Sequence, residues 1–209
     1  FKIGKNTLTF SWQGKYDSQG YAIKNLDIIK QRLFAKDLNA SKTIYLNDFV
    51  FKIHYMIGIT KDSINLNKWN SYSAFLDTIE SLLKYMLNFV KLYNLELPKS
   101  DYFLIRNGGD ANYDIYIKDI PSSNVKGYTA GESLVLHTYN PKDVVTYMVI
   151  SNNLDYDWLK TVLFHEFFHS IQGSYDWFDI EWISEGLAVS FEVSLSNNLI
   201  SSKYFLPNI

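Results

Sequence analysis

Between Ser71 and Tyr93 the apolar residues Phe75, Ile79, Leu82, Leu83, Met86, Phe89, Val90 and Tyr93 recur at steps of three and four. That spacing puts them on one stripe of an α-helix, and the stripe needs a broad apolar partner to cover it. Segments with strand-like patterning on both sides supply one. Thr43 to Leu46 and Phe49 to Tyr55 precede the helix; Tyr102 to Ile105, Asp114 to Lys118, Ser133 to Thr138 and Val145 to Ile150 follow it. Pro98 marks a stop after the helix, and Gly108-Gly109, Pro121, Gly127 and Pro141 mark turns between the later strands. Two more helices are predicted near Trp158 to Gln172 and Ile180 to Ser196. Helix, strands, then two helices is an α+β order, a mixed β-sheet packed on helices.

A chain of 209 residues is long enough for one sizeable core with an appended segment. The division predicted is an N-terminal segment over 1–45 and a single domain over 46–209. The first part carries a strand-like Leu8-Thr9-Phe10, breaks at Gly14 and Gly20, and a helix around Asp27 to Lys36; it reads as a propeptide remnant or as accessory strands. The chain starts at Phe1, which is expected of a processed or excised piece of a longer product. A formal net charge of −2 gives no basic excess with which to neutralise phosphates, so nucleic acid is not expected as the principal partner. The absence of cysteine excludes disulfides, a thiol nucleophile and a cysteine-ligated zinc site. No apolar run approaches the ~18–20 residues of a membrane span.

Within the first of the two late helices stands His165-Glu166-Phe167-Phe168-His169. Positions i and i+4 share a helix face, so the two imidazoles can hold one divalent ion; Glu166, offset by about 100°, sits beside it. Leu163, Phe164, Phe167 and Ile171 lie on the other side, and Gly173 reads as the helix stop. The third ligand should be a carboxylate from another element. If the two late helices run antiparallel, Glu185 reaches the height of His169, with the small Gly186 and Ala188 easing close approach. Glu181 and Glu192 are rivals, or partners for the free ring N–H of a ligating histidine.

Two imidazoles and a carboxylate suit one catalytic Zn2+ with an open position for water. Glu166 would then serve as general base, and Tyr175, Tyr156 and His137 are candidate donors to the developing oxyanion. His54 and His137 otherwise read as packed or surface histidines. The Gly108-Gly109-Asp110-Ala111-Asn112 and Asn152-Asn153-Leu154-Asp155 stretches have a composition that could bind Ca2+, but they read better as polar loops. The metzincin pattern fails, because the positions it requires hold Gln172 and Tyr175.

The run H-E-F-F-H-S-I-Q from His165, followed by W-I-S-E-G-L-A-V-S-F-E, resembles the gluzincin zinc peptidases. It is most similar to secreted prokaryotic metalloproteases that read H-E-[FL]-[FM]-H-x-x-Q and then W-x-x-E-[GA]-x-A. Weaker similarity extends over Phe49 to Glu192, through Phe51-Lys52-Ile53-His54-Tyr55, Asp114-Ile115-Tyr116-Ile117, Gly127-Tyr128-Thr129 and Tyr147-Met148-Val149-Ile150. The resemblance implies a zincin-like catalytic domain, zinc on His165, His169 and Glu185, Glu166 as general base, a polypeptide substrate bound extended along an edge strand, and a secreted location. The contrasting expectation is a catalytically inactive module that keeps the fold for binding or structure.

Overall fold

The structure, a computed structural model, describes residues 2–3, 6–7, 38–47, 49–99, 112–121, 124–133, 144–176 and 181–196. Its strands are β1 (Lys2–Ile3), β2 (Asn6–Thr7), β3 (Ala40–Leu46), β4 (Phe49–Tyr55), β5 (Tyr113–Lys118), β6 (Gly127–Ser133) and β7 (Val144–Ser151). The helices are α1 (Tyr72–Leu92), α2 (Tyr156–Tyr175) and α3 (Glu181–Ser196). β1 and β2 form a short antiparallel pair. The others make a five-stranded mixed sheet in the order β3-β4-β5-β7-β6, with β4, β5 and β7 parallel and the two edge strands antiparallel to their neighbours. The α+β class expected from the sequence holds.

Both long helices start on side-chain caps. Ser71 accepts a hydrogen bond from the Ala74 N–H, and Asp155 accepts one from the Trp158 N–H at 3.0 Å. The β3–β4 hairpin turns at Asn47, whose φ of 55° is a left-handed conformation that asparagine tolerates. On one face of the sheet Phe51, Ile53, Tyr113, Ile115, Ile117, Met148 and Ile150 pack against the buried residues of α1 and α2. The other face carries a smaller cluster of Leu38, Tyr116, Tyr147 and Val149. There His54 bonds Asp114 at 2.8 Å and stacks on Tyr116, the packed histidine expected of it. β7 is buried along its whole length, as suits an internal strand covered on both faces.

Several expectations need correction. The stripe of α1 ends at Val90, because Tyr93 is the C-cap residue and is exposed. The helix holding His165 runs past Gly173 to Tyr175; Gly173 and Ser174 are buried, and the Ser174 hydroxyl donates to the Leu97 carbonyl at 2.9 Å. That contact carries the helix on where glycine alone suggests a stop. Gly127 is no turn: it opens β6, which occupies Gly127–Ser133, whereas the strand was expected from Ser133 onward. β3 begins at Ala40, three residues before the expected start at Thr43. The segments expected over Leu8 to Phe10, Asp27 to Lys36 and Tyr102 to Ile105 lie outside the described residues, as do residues 134–138 and the Gly108 to Ala111 part of one polar loop. No helix is long and apolar enough to cross a membrane among the described residues.

Candidate metal centre

Helix α2 is enclosed on three sides, and the site occupies what is left. At about 100° per residue, Leu163, Phe164, Phe167 and Ile171 face the core, where each is essentially inaccessible. Val162 and Glu166 face edge strand β6. A Cβ added at Gly127 would stand 2.5 Å from Val162 Cγ1 and 3.2 Å from Glu166 Cγ, so only glycine lets the strand come this close. On the opposite flank Phe168 stacks on Phe191 of α3, with ring centroids 4.5 Å apart. The stripe between these flanks is that of His165 and His169, whose side chains keep 13% and 14% of their surface.

The two helices are antiparallel in the sense the ligand argument requires. Going along α2 through His165, His169 and Gln172, the contacts on α3 run back from Glu192 through Glu185 to Ser184. Ala188 is fully buried and permits the close approach. Gly186 does not contribute to it: a Cβ there would meet open space, because this residue faces away from α2.

Three side chains converge. His165 Nε2 and His169 Nε2 are 3.0 Å apart. Glu185 presents one carboxylate oxygen to each, Oε2 at 3.2 Å from His165 and Oε1 at 3.3 Å from His169. Among the described residues this trio is the one group of three or more histidines and acids whose ligand atoms come together, all within 4.8 Å. Zinc–nitrogen and zinc–oxygen bonds of about 2.0–2.1 Å in a tetrahedron put neighbouring ligand atoms about 3.3–3.4 Å apart. Taken to the nearer Glu185 oxygen in each case, the separations are close to those edges, and two imidazoles with a carboxylate are a donor set that could hold a metal ion such as zinc. The cluster is also electrostatically poised. The His165 and His169 imidazoles beside it hold the Glu185 carboxyl well below the usual carboxylate range. Burial alone would lower the His165 pKa, but the Glu185 and Glu192 carboxylates beside the ring outweigh it and push the group up to about 9.

Other polar groups surround the trio. Glu192, fully buried, puts Oε2 3.6 Å from His165 Nδ1 and so stands behind that ring, not among the converging atoms. Gln172 Oε1 lies 2.8 Å from His169 Nδ1. Glu166 points to the other flank, where the Thr129 hydroxyl lies 2.7 Å from its carbonyl oxygen and 3.0 Å from its Oε2. Burial pushes the Glu166 carboxyl up, while the nearby histidines and Thr129 pull it down.

The remaining candidates fall elsewhere. Tyr156 begins α2, about 13 Å along the axis from His165 at 1.5 Å per residue. The Tyr175 hydroxyl accepts the Glu96 N–H at 2.8 Å, beyond the C-terminal end of α1. The side chain of Glu181 and all of His137 lie outside the described residues. The Asn152–Asn153 loop ties two segments together: the Asn152 amide donates to the Lys61 and Ser63 carbonyls, and Asn153 Oδ1 accepts from Asn65. A concavity of about 580 Å3 beside that loop, bordered by Gly58, Tyr72, Asp119 and Asn152, includes none of the converging residues.

Thr129 and Ser184 are site residues that sequence reasoning missed, and Gln172 entered only as a letter of the motif. For Thr129 the signal was the two-residue alternation of small side chains, Gly127, Thr129, Gly131 and Ser133. For Ser184 it was adjacency to Glu185. Comparisons with protein-family models, with curated proteins and with solved structures find no significant match to this chain.

Proposed function

We propose that this protein is a zinc-dependent endopeptidase, a gluzincin with a zincin-like catalytic domain, and that it acts on polypeptide outside the cell as its motif resemblance implies. The observation that carries the reading is the convergence of His165, His169 and Glu185, whose ligand atoms lie within 4.8 Å of one another, beside a buried, hydrogen-bonded glutamate. His165, His169 and Glu185 would hold the ion. When bound, zinc supplies a Lewis acid that polarises a carbonyl and makes water a nucleophile near neutral pH.

The chain's own groups account for the rest. Glu166, one position after His165, takes a proton from the attacking water and delivers it to the departing amine. Its environment suits a base that must also be an acid: burial favours the neutral carboxyl, and the imidazoles and Thr129 favour the charged one. Thr129 Oγ1 fixes the carboxylate from the side of β6.

That strand also supports an extended substrate. Ser151 N–H bonds the Lys126 carbonyl at 2.9 Å, which with the β6–β7 register turns the backbone groups of Tyr128, Ala130 and Glu132 toward β7. Those of Gly127, Thr129 and Gly131 then point to the outer edge, which pairs with no other strand among the described residues and where a peptide can pair by β-augmentation. The residue whose hydroxyl touches the base is therefore one whose backbone would hold substrate.

The test is cleavage of unfolded casein by zinc-loaded protein, with and without a chelator, alongside Glu166→Gln. Chelator-sensitive cleavage that disappears in the variant supports an endopeptidase. Stoichiometric zinc with intact casein would make the chain a non-catalytic module instead.

A further inference from the structure

The ring of His169 is held by a small hydrogen-bonded assembly that reaches across to α3. Gln172, three residues on and therefore on the same face, spans the gap between the helices. Its Nε2 donates to the Ser184 backbone carbonyl at 3.0 Å, and its Oε1 accepts from the Ser184 hydroxyl at 3.1 Å. The same Oε1 meets His169 Nδ1 at 2.8 Å, and Ser184 Oγ stands 3.3 Å from that nitrogen.

Polarity propagates through this set from one fixed point. A backbone carbonyl can only accept, so the amide NH2 of Gln172 must face Ser184 O. The amide oxygen is then left facing His169, and an oxygen that can only accept requires Nδ1 to carry the proton. A neutral imidazole protonated on Nδ1 bares the lone pair of Nε2. That is the atom 3.0 Å from His165 Nε2 and 3.3 Å from Glu185 Oε1. Because Ser184 immediately precedes Glu185, the bond that orients the amide also sets the height of the third ligand.

We infer that Gln172 and Ser184 form a clasp that fixes the Nδ1–H tautomer of His169 and the register of α3, so that the metal site is assembled before the metal arrives. This rests on the metal-centre reading above and names the positioning residues it needs. Neither residue touches the ion or the substrate. The two histidines are thereby held differently, His169 by a neutral amide and His165 with a carboxylate behind it.

The experiment uses the whole chain and two kinds of measurement. Long-range 15N–1H correlation spectra of the metal-free protein, at alkaline pH where imidazoles are neutral, report the tautomer of His169. Competition with a chromophoric chelator reports zinc affinity. The wild type should show the Nδ1–H form. Gln172→Leu should give a tautomer mixture and bind zinc about 10–100-fold more weakly, the usual loss for an outer-sphere partner of a ligating histidine. Gln172→Glu keeps the acceptor for His169 Nδ1 but loses the donor to the Ser184 carbonyl, so it should retain the tautomer while binding zinc more weakly than the wild type. Ser184→Ala removes one hydroxyl while the backbone carbonyl stays, so it should lie between the wild type and Gln172→Leu; it replaces Gln172→Leu if that variant fails to fold. An Nε2–H tautomer in the wild type, or a Gln172→Leu protein with unchanged tautomer and affinity, overturns the inference. If the wild type binds no zinc, the metal-centre reading fails, while the tautomer spectra still decide whether the clasp exists.

Discussion

Helices α1 and α2 pack against the same face of the sheet, yet polar groups fare oppositely on them. On α1 the buried positions are all apolar, and its charged residues reach solvent: Lys42 pairs with Asp77 and Glu80 at 2.8 Å, with the acids 62% and 42% exposed. On α2 the buried set includes Thr161, Glu166, Ser170 and Ser174. Burying polar groups costs free energy unless they are partnered. Here Glu166 meets Thr129, Ser170 meets Tyr113, and Ser174 meets Leu97. One helix is a packing surface; the other is a packing surface on three sides with a chemical stripe on the fourth. The contrast teaches that the site sits where the fold has accepted buried polarity.

The sharpest way to break this contrast is to make the same substitution in both helices. Glu166→Gln should lower peptide hydrolysis by about 10^2–10^4-fold, the range for a lost general base, while zinc is retained. Glu80→Gln should leave turnover unchanged. Steady-state cleavage of a fluorogenic peptide with zinc assayed in parallel decides it, and loss of zinc in Glu166→Gln would move that residue into the ligand set.

Next in size is a substitution that should act on stability alone. Ile79 on α1 is fully buried, and Ile79→Ala should cost about 2–5 kcal/mol by cavity formation. Zinc affinity of the folded protein should not change. Urea melts and chelator competition measure the two effects, and a large change in affinity would show that α1 does more than pack.

Acidity separates the helices as well. In the metal-free protein the folded His165 pKa lies near 9, above its ordinary value of 6.5. Its protonated form therefore stabilises the fold fully below pH 6.5, and that contribution is lost as pH rises through about 9. Zinc binding runs the other way, since one proton must leave His165 first. Affinity should climb about tenfold per pH unit up to about 9 and then level off. Glu185, depressed in its pKa, stays ionised across that window. Thermal melts and zinc titrations from pH 6 to 10 should show opposite slopes; parallel slopes would contradict the assignment. The smallest effect belongs to the exposed Lys42 cluster, where Lys42→Met should change stability by less than about 1 kcal/mol, and less still in high salt.

The same difference explains how much was legible in the sequence. Most of α1 could be read because its burial follows a single period; Leu76 and Leu87 widen the buried face beyond the stripe read, Phe89 is only partly buried, and Tyr93 at the end is exposed. The meeting of His165, His169 and Glu185 could be anticipated from i, i+4 spacing on one helix and an acid near the start of the next, with Glu181 and Glu192 left as rivals. Edge strand β6 could not, because Gly127, Thr129, Gly131 and Ser133 break the apolar alternation that marks a strand in sequence. Nor could the end of α2, where a contact with Leu97 overrides glycine. The clasp stayed hidden for a different reason: its logic runs through the backbone carbonyl of Ser184, which has no letter in the sequence.

The most direct test of the metal centre is zinc content combined with X-ray absorption at the zinc edge, on wild type and on Glu185→Ala. The account expects one zinc per chain in a four-coordinate shell of two imidazoles and light oxygen donors, with affinity strongly reduced when Glu185 is removed. Zinc bound equally well by Glu185→Ala, or a wild-type shell without two imidazoles, would contradict it.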